Sequence, residues 1–232
     1  MSGSGAAGAA GGLMPDRLAE DRNQALALFD VSRETLARLD RFAAVFLQWQ
    51  ARMNLIAAST EAFLWSRHIA DSLQLLALAP DAKIWVDLGS GGGFPGMVIA
   101  CALAGTSGAH VHLVERSTKK AAFLGDAARA IGVPATIHAE PIEDFARHAP
   151  ARIDVVTARA LAPLPKLLNL AYPLLKRGAK GLFPKGQDVD AELTEAAKCW
   201  NMRATSVNSL TNPRSRIIIL DKLSTKRDKP KR

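Results

Sequence analysis

Ten consecutive residues, Asp87-Leu88-Gly89-Ser90-Gly91-Gly92-Gly93-Phe94-Pro95-Gly96, combine an acid, five glycines and a proline in one short stretch. Glycine admits positive φ without a Cβ clash and lets a ligand approach the backbone, while Pro95 suits the first turn of a following helix. The stretch reads as a cofactor-binding loop, with a purely structural turn as the alternative. Gly91-x-Gly93-x-x-Gly96 matches the dinucleotide fingerprint, which needs a pyrophosphate at the helix N-terminus. Asp87 tips the choice, because a strand-end acid suits a cationic ligand such as the sulfonium and amino group of S-adenosylmethionine and repels a pyrophosphate. No Walker lysine follows the glycines, which argues against a nucleotide triphosphatase.

Further along, Glu115 stands 24 residues after Gly91, the distance at which a carboxylate accepts hydrogen bonds from ribose hydroxyls; its alternative is an ion pair with Arg116 or Lys119. Ala139 and Glu140 are placed to line an adenine pocket, and Arg159 brings a guanidinium to the mouth of the site. His68 and Asp71, three apart, would share a helix face, either bonded to each other or facing a substrate. Lys185 has the flexible charge that suits a phosphate. His110 and His112 alternate onto one strand face without a third clear ligand, so no metal is expected.

These residues need a scaffold that gathers them. The runs Lys83–Leu88, His110–Glu115, Ala135–Ala139, Ile153–Ala158 and Lys180–Pro184 are apolar almost throughout, as strands covered on both faces should be. Helical stretches Pro95–Ala104, Thr118–Ile131, Pro163–Leu175 and Asp188–Trp200 separate them. The alternation predicts an α/β fold, a doubly wound parallel sheet whose strand carboxyl ends carry every candidate after Gly89. Arg203–Leu210 and Ser215–Lys222 flank Thr211-Asn212-Pro213 and read as an antiparallel hairpin closing one edge. Before the sheet, from about Arg33 to Leu78, apolar residues such as Leu36, Leu39, Phe42, Phe46, Ile69 and Leu73 recur at helical spacing. The division expected is a tail over 1–20, a helical extension packed on the body over 21–80, the α/β domain over 81–223 and a basic tail over 224–232.

Composition bounds the function. The 232 residues are 48% hydrophobic and 22% charged, an ordinary globular make-up, with no apolar run near the roughly 20 residues of a membrane span. Cys101 and Cys199 lack paired spacing, and the N-terminus lacks a signal-peptide layout, so a cytoplasmic protein is expected. The net charge of +8 favours a polyanionic partner, and five basic residues from Lys226 to Arg232 against Asp228 place half of it in the C-terminal tail.

The loop, followed by Val114-Glu115-Arg116, Ala139-Glu140, Thr157-Ala158-Arg159-Ala160 and Phe183-Pro184-Lys185-Gly186, resembles the bacterial small-subunit ribosomal RNA guanine-N7 methyltransferase family, also called glucose-inhibited division protein B. Trp49, Asn54-Leu55 and Arg67-His68-Ile69-Ala70-Asp71-Ser72-Leu73 are similar to its N-terminal signature, and the likeness spans about residues 33 to 221. It implies a class I S-adenosylmethionine-dependent methyltransferase fold: a Rossmann-like seven-stranded sheet with an antiparallel C-terminal hairpin, preceded by a helical layer. It further implies that Gly89, Phe94, Ala139, Glu140 and Arg159 contact S-adenosylmethionine, joined by Gly91 and Glu115 from the loop argument, and that 16S rRNA or the small-subunit particle is the substrate. The sequence departs from the pattern at Gly92, where many members carry proline, and at Gln50-Ala51-Arg52-Met53.

Chemical elimination points the same way. Carbon-5 methylation of a pyrimidine needs a cysteine nucleophile, yet both cysteines fall on helices away from the strand ends. Exocyclic amine methylation commonly uses an Asn/Asp-Pro-Pro-aromatic tetrapeptide where this chain has Ala158-Arg159-Ala160-Leu161. Guanine N7 has a free lone pair and no proton to lose, so no catalytic acid or base is expected. His68 and Lys185 are candidates for RNA contact, and a monomer is expected. The competing readings are an NAD(P)-dependent reductase and a noncatalytic RNA-binding or S-adenosylmethionine-sensing module.

Overall fold

The structure is a computed structural model and describes residues 10–226. Helix α1 (Ala10–Leu26) leads to α2 (Arg33–Gln50), whose first turn is capped by Ser32 Oγ accepting from the Thr35 N–H at 3.1 Å. A 3-10 turn (Ala58–Phe63), a π-helical turn (Trp65–Ala70) and α3 (Asp71–Ala77) complete an N-terminal helical layer. The body then alternates: β1 (Ile84–Leu88), α4 (Gly96–Leu103), β2 (His110–Val114), α5 (Thr118–Ile131), β3 (Ala135–His138), α6 (Ile142–His148), β4 (Val155–Thr157), α7 (Leu164–Leu175), β5 (Lys180–Lys185) and α8 (Val189–Cys199). It closes with β6 (Trp200–Asn208) and β7 (Arg216–Thr225).

The seven strands run in the order β3-β2-β1-β4-β5-β7-β6; the first five are parallel, and β7 and β6 are antiparallel additions at one edge. The expected doubly wound sheet with a C-terminal hairpin is therefore the observed architecture. Strand parity sorts the core into two layers. Trp85, Val111, Leu113, Val155 and Leu182 face α2, α4 and α5, sharing one cluster with Leu39, Phe42 and Phe46 of the helical layer. Val86, Leu88, Val156 and Phe183 face α6, α7 and α8. Leu88 lies beside Val114, and Asp87 beside Thr157, so the chain leaves β1, β2 and β4 at one level. Strand order reverses at β1, where a ligand crevice opens in such sheets.

Three expectations change. Residues 10–20, read as tail, belong to α1, and Asp21 within it accepts from the Trp65 and Ser66 N–H groups at 2.8 and 3.1 Å, holding the start of the π-helical turn. Helix α6 is an addition to the four helices expected between the strands. The basic tail is shortened by β7, which runs to Thr225; residues 1–9 and 227–232 lie outside the described residues.

Candidate active site

The loop after β1 folds back on β2. The Gly89 and Ser90 N–H groups donate to the Val114 carbonyl at 2.8 and 3.1 Å, and the Gly93 N–H to Ser90 at 2.7 Å. Gly89 has φ +69°, and a Cβ there would stand 2.6 Å from Leu161 Cδ1, so only glycine serves this turn without moving the loop after β4. Glu115 emerges beneath it: Oε2 accepts from the Gly91 N–H at 2.9 Å and Oε1 from the Ser117 N–H at 2.8 Å. The alternative reading, a pairing with Arg116 or Lys119, is not what the carboxylate does. An ionised carboxylate offers about four acceptor sites, so two are left for hydroxyls.

Asp87 corrects the sequence reading. It is 1% exposed and does not line the cavity; its Oδ2 accepts from the Gly96 N–H at 3.1 Å, bracing the loop from below. Burial pushes its carboxyl up to about 7, opposed by the bond from Gly96. Among the described residues Oδ1 has no partner, and neither has Oγ1 of Thr157, its neighbour in β4. The acid is a strut under the loop, so its charge is no selector of the cofactor.

Arg159 lies deeper than the mouth, with its side chain 18% exposed. Nη1 donates to the Arg67 carbonyl at 3.0 Å and pairs with Asp71 Oδ2 at 3.3 Å, while Nη2 lies 2.7 Å from His68 Nδ1. A guanidinium only donates, so His68 Nδ1 accepts and Nε2 carries the proton, which it gives to Thr60 Oγ1 at 3.1 Å; that hydroxyl in turn donates to the Ala57 carbonyl. Burial, with the charges of Arg159 and Arg67, pushes the imidazole down to about 3, so it is neutral. His68 and Asp71 are thus bonded to Arg159 and not to each other. Asp71 Oδ1 faces the opposite way and accepts from Gln74 Nε2 at 2.8 Å and Thr211 Oγ1 at 2.9 Å, joining the helical layer to the β6–β7 turn. Phe94 sits under the guanidinium, 5.4 Å from Arg159 Cζ, and packs on Phe42, Phe46 and His68.

Around these groups opens a cavity of about 1220 Å³. Of the expected cofactor contacts, Gly89, Gly91, Phe94, Glu115, Glu140 and Arg159 line it; Ala139 does not, although its neighbours Glu140, Pro141 and Ile142 do. Glu140 is held by His148 Nε2 at 3.0 Å. Lys185 lines the cavity, but its Nζ is clasped by the Ala162 carbonyl at 2.8 Å and Glu192 at 2.7 Å, so it has no free charge for a phosphate. His110 and His112 stack on β2, and His112 Nδ1 lies 3.0 Å from His138 Nε2; among the described residues no group of three His, Cys, Asp or Glu is arranged to hold a metal. Neither cysteine lines the cavity, and burial pushes the Cys101 thiol up to about 12. Two walls escape the sequence: Leu55, Ile56, Ala57 and Thr60 from the helical layer, and Ser209, Thr211, Asn212 and Ser215 from the hairpin. Ala160, with φ +53°, turns the chain between Arg159 and Leu161 in a conformation unusual for a non-glycine residue.

The sequence model of the GidB family, described as rRNA small subunit methyltransferase G, matches residues 35–218. A ribosomal RNA small subunit methyltransferase G of Bradyrhizobium sp. strain BTAi1 is 58% identical over 204 residues, covering 88% of this chain and 92% of the relative. That of Rhodopseudomonas palustris strain BisB18 is 55% identical, covering 89% of this chain and 88% of the relative. Among solved structures, the O-methyltransferase TomG from Streptomyces achromogenes shares the fold with a TM-score of 0.57 at 14% identity, covering 89% of this chain and 98% of the other. A putative O-methyltransferase from Klebsiella pneumoniae has a TM-score of 0.56 at 12% identity, covering 90% and 99%.

Proposed function

The chain belongs to the rRNA small subunit methyltransferase G family, and from that premise we propose that it methylates guanine N7 of 16S rRNA from S-adenosylmethionine, as a cytoplasmic monomer acting on the small-subunit RNA or its particle. The observation that carries this reading is the cavity itself. It opens at the switch point, exceeds the roughly 300–1,000 Å³ of ordinary ligand pockets, and so has room for a nucleoside cofactor and an extruded base together.

The residues present fit S-adenosylmethionine. The unfilled acceptor sites of Glu115 suit ribose hydroxyls, Gly89 and Gly91 line the cavity with bare backbone, and Glu140 lines the wall beyond β3. When bound, the cofactor supplies an electrophilic methyl group on a sulfonium centre. This chain's residues then have to position and to exclude water, because N7 has no proton to give up. His68 agrees with that division of labour: its Nδ1 lone pair is spent on Arg159 and its one proton on Thr60, so it is a poor base. Arg159, balanced by Asp71, is a largely buried cation facing the cavity and fits an anionic group of cofactor or RNA better than a ring gaining positive charge.

Incubation with methyl-labelled S-adenosylmethionine and small-subunit RNA tests the proposal. The expected product is 7-methylguanine, with borohydride and aniline breaking the RNA at one guanine only when protein and cofactor were both present. Label in a methylated cytosine or adenine, or none in either naked RNA or the particle, overturns it.

A further inference from the structure

The cations of this protein are unevenly committed. At the amino end of the strands, where the helices finish, six are engaged: Arg129 with Asp126, Arg147 with Asp144, Arg152 with Asp154, and Arg177, Lys83 and Lys180 with backbone carbonyls. At the carboxyl end, around the cavity, the pattern differs. Arg67 of the π-helical turn and Lys166 of α7 line the opening, and Arg214 lies in the β6–β7 turn whose Asn212 and Ser215 line it. All three are exposed, and none has a side-chain hydrogen bond or ion pair among the described residues. The acids on the same bank are already taken, Asp71 by Arg159 and Thr211, Glu192 by Lys185 and the Leu164 N–H. Three positive heads from three separate elements thus flank the side of the opening away from the ribose-side residue Glu115, with no internal partner.

We infer that Arg67, Lys166 and Arg214 form the phosphate-binding surface for the RNA strand on either side of the methylated base. The inference rests on the proposed RNA methylation and goes beyond it by replacing His68 and Lys185, whose polar atoms are satisfied internally, with three residues that are free. Phosphate contacts by cations release condensed counterions and give no sequence preference, which suits residues that hold the strand while the cavity takes the base.

The test is the salt dependence of binding to small-subunit RNA by filter titration. Each lost phosphate contact on a single strand flattens the slope of log K against log salt by about 0.7. The triple variant Arg67→Gln/Lys166→Gln/Arg214→Gln is expected to lower the slope by about 2 while still binding S-adenosylmethionine in calorimetry. A control variant, Arg129→Gln/Arg147→Gln/Lys198→Gln, removes the same charge from the far end and is expected to keep the wild-type slope. If the first triple variant fails to fold, the three single variants carry the test, each at about 0.7. An unchanged slope in the cavity-side variants, or an equal fall in the control, overturns the inference. Failure of the wild-type protein to methylate the RNA overturns the proposed activity instead, and the slopes still report on the surface.

Discussion

Asp87 and His68 show how burial reverses the behaviour a side chain has in water. The carboxyl of Asp87 is pushed up to about 7, first by burial, above its ordinary 3.8. The folded state therefore keeps a proton that the unfolded chain has released, so the stability tied to it is full below 3.8 and is lost as pH rises through 7. Asp87→Asn keeps an acceptor for the Gly96 N–H and removes the charge. It is expected to be more stable than wild type at pH 8 by on the order of 4 kcal/mol at most, with the difference gone near pH 4. Urea unfolding at several pH values measures it, and a gap that does not change with pH refutes the assignment. His68 works with the opposite sign: its folded pKa is about 3, so its contribution is lost as pH falls below 6.5, and it cancels in the comparison. Asp87 was also the residue whose placement the sequence allowed and a motif obscured. Parity puts it on the face of Trp85, opposite Val86 and Leu88, and thus under the loop. The partners of His68 and Asp71 had no such local signal, because Arg159 stands 91 and 88 residues away.

At the scale of elements, what was legible followed turn chemistry and apolar runs. Helix α5 occupies Thr118–Ile131 as read, because Ser117 caps its start and Gly132, at φ +73°, ends it with its N–H on the Ala128 carbonyl. Helix α6 escaped because its seven residues, Ile142–His148, are too few to display a period and bury only Ile142, Phe145 and Ala146. The π-helical turn depends on Asp21, 44 residues before Trp65, and no window of sequence contains both. The junction of β1 with α4 is closely packed beside the site. A Cβ on Gly96 would stand 2.7 Å from Asp87 Oδ2 and 2.9 Å from its Cβ. Gly96→Ala is therefore expected to destabilise by about 1–3 kcal/mol despite alanine's better helix propensity, and to weaken S-adenosylmethionine binding as the loop shifts. A urea midpoint equal to or above wild type contradicts this.

Across the whole molecule, the helical layer is a wall of the active site as well as a cover for the sheet. Asp21, 5% exposed, carries that role from α1, since its carboxylate satisfies the two N–H groups that open the turn bearing His68. Asp21→Ala leaves both unpaired in a buried setting and is expected to cost about 2–5 kcal/mol, with a lower thermal midpoint and weaker cofactor binding than an exposed control such as Glu20→Ala. If the two variants melt together, α1 is only a cover. The opposite wall comes from the other end of the chain. Thr211 reaches Asp71 across 140 residues, and β7 completes the sheet by pairing with β5. A ribosome making this protein therefore delivers the helical wall well before the hairpin wall. Once β5 has been made, about thirty residues pass before β7 follows, roughly 2–6 s at 5–20 residues per second. For that interval the nascent chain has an apolar strand with an open edge and a half-built pocket, which makes these seconds aggregation-prone and delays methyl-donor binding until β7 is in place.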